Sequence, residues 1–284
     1  MRILLAIVLG LCAPLTAYSQ AMTDGRGFLA DFTEPEAFTS ANSDEDDYAP
    51  TYDHLNKRVV YTSEESGYAA QYFVNSETKE RILIDGTFNR EGHHRAFVSF
   101  GSGDEAVGVA FVLAERQSVP TIITVPIDNG SLNEGHPIDC FAGEHFTSQP
   151  SLSPDGNSLV VVSDREGGEG GLDLWVCTRQ SDRVWSEPVQ LSSTVNSEGD
   201  EITPVFISAD SLVYASDGYG GQGGFDLFLV VLRDGAWQEP EPLTMFNSEF
   251  DESDLVLLPD GTVIFASNRP GGKGKLDLWV SRRR

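Results

Sequence analysis

Three aspartates, Asp173, Asp226 and Asp277, recur at steps of 53 and 51 residues, and each closes a run of glycines. The runs read SDREGGEGGLDLWV from Ser163, SDGYGGQGGFDLFL from Ser216 and SNRPGGKGKLDLWV from Ser267. Their glycines are Gly167, Gly168, Gly170 and Gly171 in the first copy, Gly220, Gly221, Gly223 and Gly224 in the second, and Gly271, Gly272 and Gly274 in the third. Polar turns, NSEGDE and NSEFDE, add the acid pairs Asp200 and Glu201, and Asp251 and Glu252, while two of the three runs carry an arginine, Arg165 and Arg269. Four chemistries use such groups. Glycine amides can cradle a phosphate, clustered carboxylates can hold a hard cation such as calcium, paired acids can hydrolyse a glycan, and a charged rim can bind a polymer or a protein.

The phosphate cradle fails on context, because phosphate loops run into a helix and carry Gly-Lys-Ser/Thr, whereas these runs lead into apolar strand sequence. Calcium is served by oxygen-rich stretches such as NSDEDD (Asn42 to Asp47), though the spacing is not that of an EF-hand. A sialidase-like site needs several arginines converging on a carboxylate, and the second copy has Gly218 where its sisters have arginine. His93 and His94 are neighbours, and adjacent strand residues point to opposite faces, so at most one could serve a given site. His54, His136 and His145 stand alone, and there is no Gly-x-Ser-x-Gly elbow. Each motif also has a structural reading: glycines supplying positive φ, the aspartates accepting loop amides, the arginines pairing with nearby acids.

The elements that position these residues are strands. Upstream of each glycine run lies a hairpin signature, SLSPDGNSLVVVSD from Ser151, VFISADSLVYASD from Val205 and LVLLPDGTVIFASN from Leu255. Downstream lies a Trp-x-Glu-Pro strand and the polar turn, so each unit of about 50 residues holds four strands with no helical period. A tandem array of such units predicts an all-β, single-domain β-propeller of four-stranded antiparallel blades. The motif set, from Pro-x-x-Ser-x-Asp-Gly through Gly-Gly-x-Asp-Leu-Trp to Asn-Ser-x-x-Asp-Glu, resembles the WD40-like propeller repeats of the TolB type, among them repeats of envelope proteins with OmpA-like domains. That resemblance covers 148–284. It implies a role in envelope assemblies with peptidoglycan-associated partners.

Divergent copies from Ala49 and from His94 fill 49–147 and bring the expected blades to five, while the irregular 128–143 leaves room for an extra strand pair and a sixth. DFTEPEAFTSANSDEDD (Asp31 to Asp47) matches the downstream piece of a repeat, and the last copy ends without one. The N-terminal strand is therefore expected to complete the last blade, which covers two open sheet edges at once. By strand alternation the glycine runs and the Asn-Ser-x-x-Asp-Glu turns share one face and the Asp-Gly hairpins the other.

The chain has 284 residues and a formal net charge of −25, which opposes nucleic acid and anionic lipid. Its only lysines are Lys57, Lys79, Lys273 and Lys275, an acid-rich balance suited to high salt. The first 19 residues have the basic, apolar and small-residue layout of a secretory signal; Cys12 offers a lipidation alternative, with bulky Leu11 before it. Residues 20–30 are expected to be a flexible segment and 31–284 the propeller. No later stretch is long and apolar enough to span a bilayer. Cys140 and Cys177 are expected as two separately buried strand residues, with a disulfide as the alternative. Together these features predict an exported, monomeric, non-catalytic propeller of the periplasm or outer membrane that needs no cofactor. It would bind an envelope protein or polymer through the acidic glycine-run face. A glycan hydrolase and a calcium-stabilised structural module are the alternatives.

Overall fold

The computed structural model describes residues 31–101, 105–114, 117–143, 145–181 and 184–284, so the expected leader and the 20–30 segment lie outside the described residues. Five antiparallel sheets form a five-bladed propeller. Blade 1 comprises Asp47–Asp53, Arg58–Ser63, Ala70–Val74 and Arg81–Leu83. Blade 2 comprises Arg95–Phe100, Ala106–Ala114 and Gln117–Thr124. Blades 3 and 4 begin at Thr147–Leu152 and Glu201–Ser208 and continue through Ser158–Ser163 and Asp173–Ser181, and through Ser211–Ser216 and Asp226–Arg233. Blade 5 comprises Glu252–Leu257, Val263–Ser267 and Asp277–Ser281.

The ring closes as the sequence predicts. Glu36–Ala37 pairs with the third strand of blade 5, Glu36 opposite Val280 and Ala37 opposite Trp279. The first strands of the five blades contact one another around the axis in the order 1, 2, 3, 4, 5, 1. The hydrophobic core is correspondingly divided into five wedges, one per seam between blades. In blade 4 the alternation of a strand splits between two wedges: Leu212 and Tyr214 pack toward blade 3, Val213 and Ala215 toward blade 5. A one-residue register slip would exchange the two sets, so the packing itself enforces register.

The fourth strands depart from the continuous Trp-x-Glu-Pro strand. In blade 3 this position is two fragments, Val184–Trp185 and Val189–Gln190, and in blade 4 it is Ala236–Trp237 and Glu241–Pro242. Pro188 and Pro240 stand in or at the end of the interruption, where a residue without an N–H cannot feed a ladder. In blade 2 the outer position is taken by residues 135–138, whose backbone bonds run from Thr124 N–H to His136 O (2.9 Å) and from Ile138 N–H to Ile122 O (3.0 Å). The irregular 128–143 region does hold an extra strand pair, Ile127–Asp128 with Ser131–Leu132, but it is not a sixth blade. It buries Leu132 in the wedge between blades 1 and 2.

Candidate binding face and axial channel

The glycine runs and the Asn-Ser-x-x-Asp-Glu turns do meet on one face, and their repeated side chains hold that face together. Asn196 clamps Leu174, its Oδ1 accepting the Leu174 N–H (3.0 Å) and its Nδ2 donating to Leu174 O (3.2 Å); Asn247 does the same to Leu227, and Asn42 to Leu278. Asp200 accepts the Leu172 N–H at 2.8 Å and Asp251 the Phe225 N–H at 3.1 Å. Asp173 accepts amides of Glu169 and Gly170, Asp226 those of Gln222 and Gly223, and Asp277 that of Lys273. All three aspartates are buried. The turns are thereby stitched to the strands they follow, because each buried amide needs an acceptor.

Glu201 and Glu252 are fully buried beneath the turns. Each accepts from a serine N–H and hydroxyl of its own turn and from the serine that ends the neighbouring strand, Ser197 and Ser216 for Glu201, Ser248 and Ser267 for Glu252. Burial holds the Glu201 carboxyl above the usual carboxylate range. Its blade-1 counterpart, Asp47, is raised for the same reason. Arg269 completes the cluster in blade 5, with Nη2 at 2.8 Å from Glu252 Oε1 and its guanidinium over Phe265 and Trp279. In blade 3 Thr147 replaces the glutamate, and Arg165 instead donates to Ser163 and Thr147 while lying over Phe141 and Trp175. The two arginines thus have separate partners, Arg165 at the seam of blades 2 and 3 and Arg269 at that of blades 4 and 5.

The glycines fulfil their expected structural role by a different route. Positive φ is confined to Gly167, Gly220 and Gly271, the first of each run. The others, Gly168, Gly170, Gly171, Gly221, Gly223, Gly224, Gly272 and Gly274, have no positive φ and are instead required by crowding. A Cβ on Gly170 would stand 1.8 Å from Gly199 O, and one on Gly223 1.8 Å from Phe250 O. The run therefore packs backbone to backbone against the adjoining turn. What remains exposed between the locked positions are Asp44, Glu45, Glu198 and Glu249 in the turns, with Glu166 and Glu169 beside them; Asp164 and Asp217 are exposed too, but accept the Phe146 and Asp200 amides.

A second feature lies on the axis. Each innermost strand has a bulge, and at the bulge one non-glycine residue adopts positive φ: Ala49 (50°), Phe97 (51°), Gln149 (51°), Thr203 (49°) and Asp254 (54°). Residues 49–51, 97–99, 149–151 and 203–205 together with Asp254 line an axial cavity of about 40 Å³, room for about one water. Side chains bridge the seams here, the Asp254 N–H donating to Thr203 Oγ1 (3.1 Å) and the Thr203 N–H to Gln149 Oε1 (2.9 Å). The Asp254 carboxylate accepts from Ser253 Oγ (2.6 Å) and the Ala49 N–H, yet burial pushes its pKa up to about 6. Tyr48, on the neighbouring strand, is also raised by burial and by the nearby Glu64 and Asp254. Sequence reasoning missed this belt. The available signal was a proline at one position in three innermost strands, Pro50, Pro150 and Pro204, since proline inside a strand marks a bulge.

The histidines gather into no site. His94 Nδ1 accepts the Ala69 N–H at 3.1 Å, and His54 stacks edge-on against Tyr52 with its pKa lowered by burial. Among the described residues no three His, Cys, Asp or Glu side chains are grouped to hold a metal ion. Within NSDEDD, Ser43 bonds to Asp47 and Asp46 accepts the Leu276 amide, while Asp44 and Glu45 stay exposed.

No protein-family model matches the chain. No curated protein matches it either. Among solved structures, TolB from Acinetobacter baumannii superposes with a TM-score of 0.52 at 14% identity, over 84% of this chain and 54% of that one. The fold is a TolB-like β-propeller. The chain spans about half the length of that TolB protein. The propeller is also similar to an endo-arabinase from Bacteroides thetaiotaomicron (TM-score 0.56, 14% identity, 88% of this chain and 98% of that one). A third likeness is to the xyloglucan PUL GH43B of Bacteroides ovatus (TM-score 0.56, 12% identity, 87% and 53%). Identities this low speak for the fold, and function has to be argued from the sites on it. No helix among the described residues of the TolB-like propeller is long and apolar enough to cross a membrane.

Proposed function

We propose that the protein is an exported, non-catalytic propeller of the periplasm or outer membrane that acts as a monomer and binds an envelope protein or polymer through its glycine-run face. The observation that carries this reading is the division of labour on that face. The repeated side chains are committed to backbone amides, while exposed carboxylates stand between them on turns held at both ends. A rigid, mostly acidic surface suits a partner with complementary positive charge, and pre-organisation lowers the entropy lost on binding. Arg165, Asp173, Asp200, Glu201, Asp226, Asp251, Glu252, Arg269 and Asp277 then belong to the frame of this face, and Glu45, Glu198 and Glu249 to its contacts.

Glycan hydrolysis is the second reading, favoured by the arabinan-degrading likeness and by the ionisable group on the axis. Retaining and inverting glycosidases use two carboxyl groups about 5–9.5 Å apart. The axial cavity is lined by a single carboxylate, Asp254, which supports the binding reading over the hydrolytic one. Incubation with arabinan, xyloglucan and sialylated glycans tests this: sugar release that disappears in Asp254→Asn would replace the binding reading with the hydrolytic one.

A further inference from the structure

Cys140 lies in the single turn of 3-10 helix, Asp139–Phe141, just after residues 135–138 have completed blade 2. Cys177 lies in the middle of the third strand of blade 3, opposite Leu159, and is fully buried. Contrary to the expectation of separately buried residues, the two thiols touch, Sγ to Sγ at 3.5 Å. Both are free in this structure. Neither belongs to the repeat: the position of Cys177 is Val230 in blade 4 and Ser281 in blade 5. Two off-repeat cysteines from different blades have thus been brought into contact across a seam.

A third off-repeat substitution meets them. In blade 5 Arg269 is neutralised by Glu252, but in blade 3 the glutamate position is Thr147, so Arg165 has no carboxylate within 4 Å among the described residues. Its guanidinium lies over Phe141, the residue after Cys140, and over Trp175, two residues before Cys177. It favours a thiolate at both sulfurs. The Cys140 thiol is pulled below its ordinary range, first by the hydrogen bond with Cys177, while Cys177 is pushed up by that same contact and by burial. Cys140 is also the more exposed of the two.

We propose that Cys140 and Cys177 form an intramolecular disulfide that staples the segment closing blade 2 to blade 3, with Cys140 as the exchanging thiol and Arg165 as the residue that positions charge beside it. The oxidant is a small-molecule or protein disulfide of the glutathione or oxidoreductase type. Cys140 thiolate attacks one sulfur of that disulfide and expels the other as a thiolate, leaving a mixed disulfide. Cys177 then loses its proton and attacks Cys140 Sγ, expelling the second thiolate. Two protein thiols have given up two protons and two electrons, and the oxidant has become two thiols. The sulfurs need to close by about 1.5 Å to reach a bonded distance.

The test uses the purified full chain equilibrated with oxidised glutathione under native conditions, alkylated in urea and digested with trypsin. The expected product joins peptides 117–165 and 166–179, about 2 Da lighter than the two reduced peptides together. Reductant should lower Tm by roughly 5–10 °C in the oxidised wild type, and should leave Cys140→Ser unmoved. Arg165→Gln should slow alkylation of Cys140 several-fold at neutral pH and move the pH midpoint of that reaction upward, with Arg165→Lys restoring much of the rate. Complete alkylation of both thiols after equilibration would overturn the disulfide. An unchanged pH profile in Arg165→Gln would overturn the role given to the arginine. Neither outcome depends on the partner of the glycine-run face.

Discussion

Asp254 gives the sharpest energetic prediction. The residue is 5% exposed and its pKa is raised from 3.8 to about 6, with burial as the leading cause. At about 1.4 kcal/mol per pH unit, keeping that group ionised costs the fold about 3 kcal/mol above pH 7. The folded state binds the proton more tightly than the unfolded chain, so this penalty is absent below about pH 4 and grows as pH rises through about 6. Asp254→Asn removes the charge but presents one acceptor where the carboxylate has two, so it forfeits about 1 kcal/mol of the bonds from Ser253 and Ala49. The variant should be more stable than wild type by about 1–2 kcal/mol at pH 7.5, a Tm rise of roughly 3–6 °C, and no more stable at pH 4.5. Paired thermal melts across this range read the difference directly, since other raised carboxylates such as Glu201 and Asp47 cancel between the two proteins. A variant destabilised equally at both pH values would refute the reasoning and make the axial charge a net structural asset.

Removing residues 31–39 strips Glu36–Ala37 from blade 5 along with the Phe38 N–H to Leu278 O bond, so Tm should fall by roughly 10 °C or more and the bared edge should self-associate, as read by light scattering. An unchanged monomer with an unchanged Tm would sink ring closure by this strand. Gly223→Ala drives a Cβ to 1.8 Å from Phe250 O and should cost about 2–3 kcal/mol, whereas Gly235→Ala, which meets nothing within 4 Å but has a φ of +77°, should cost about 1 kcal/mol. Denaturant titrations of the two variants check that order, and equal costs would deny the close packing of glycine run on turn.

Much of the fold was readable because the three regular copies repeat both their turn chemistry and their strand alternation. DFTEPEAF could be recognised as an orphaned fourth strand for the same reason. What escaped was structure that does not repeat or that the repeat hides. Blade 2 borrows its outer strand from residues 135–138 beyond a hairpin insertion, and nothing in GHPI spells a strand. The proline in Trp-x-Glu-Pro was legible, yet its consequence, a fourth strand broken into two-residue pieces, requires asking where each N–H goes. At the site, the repeated acids were identifiable, but which of them reach solvent was not: spacing cannot distinguish Glu201, locked under Ser197 and Ser216, from Glu198, three residues earlier and exposed. Contact between Cys140 and Cys177 depends on how two neighbouring blades abut, which no local pattern encodes.

The most direct test of the binding face is capture of envelope proteins and polymers by immobilised wild type and by Glu45→Lys/Glu198→Lys/Glu249→Lys, with bound species quantified at low and high salt. The three side chains are exposed, and the frame uses only the backbone at these positions, so the variant should keep its Tm within about 2 °C. A defined partner whose recovery falls at least tenfold in the variant, and falls for the wild type as salt rises, is the predicted result. Equal recovery by the two proteins, or recovery of nothing by either, would contradict the glycine-run face as the working surface of the propeller.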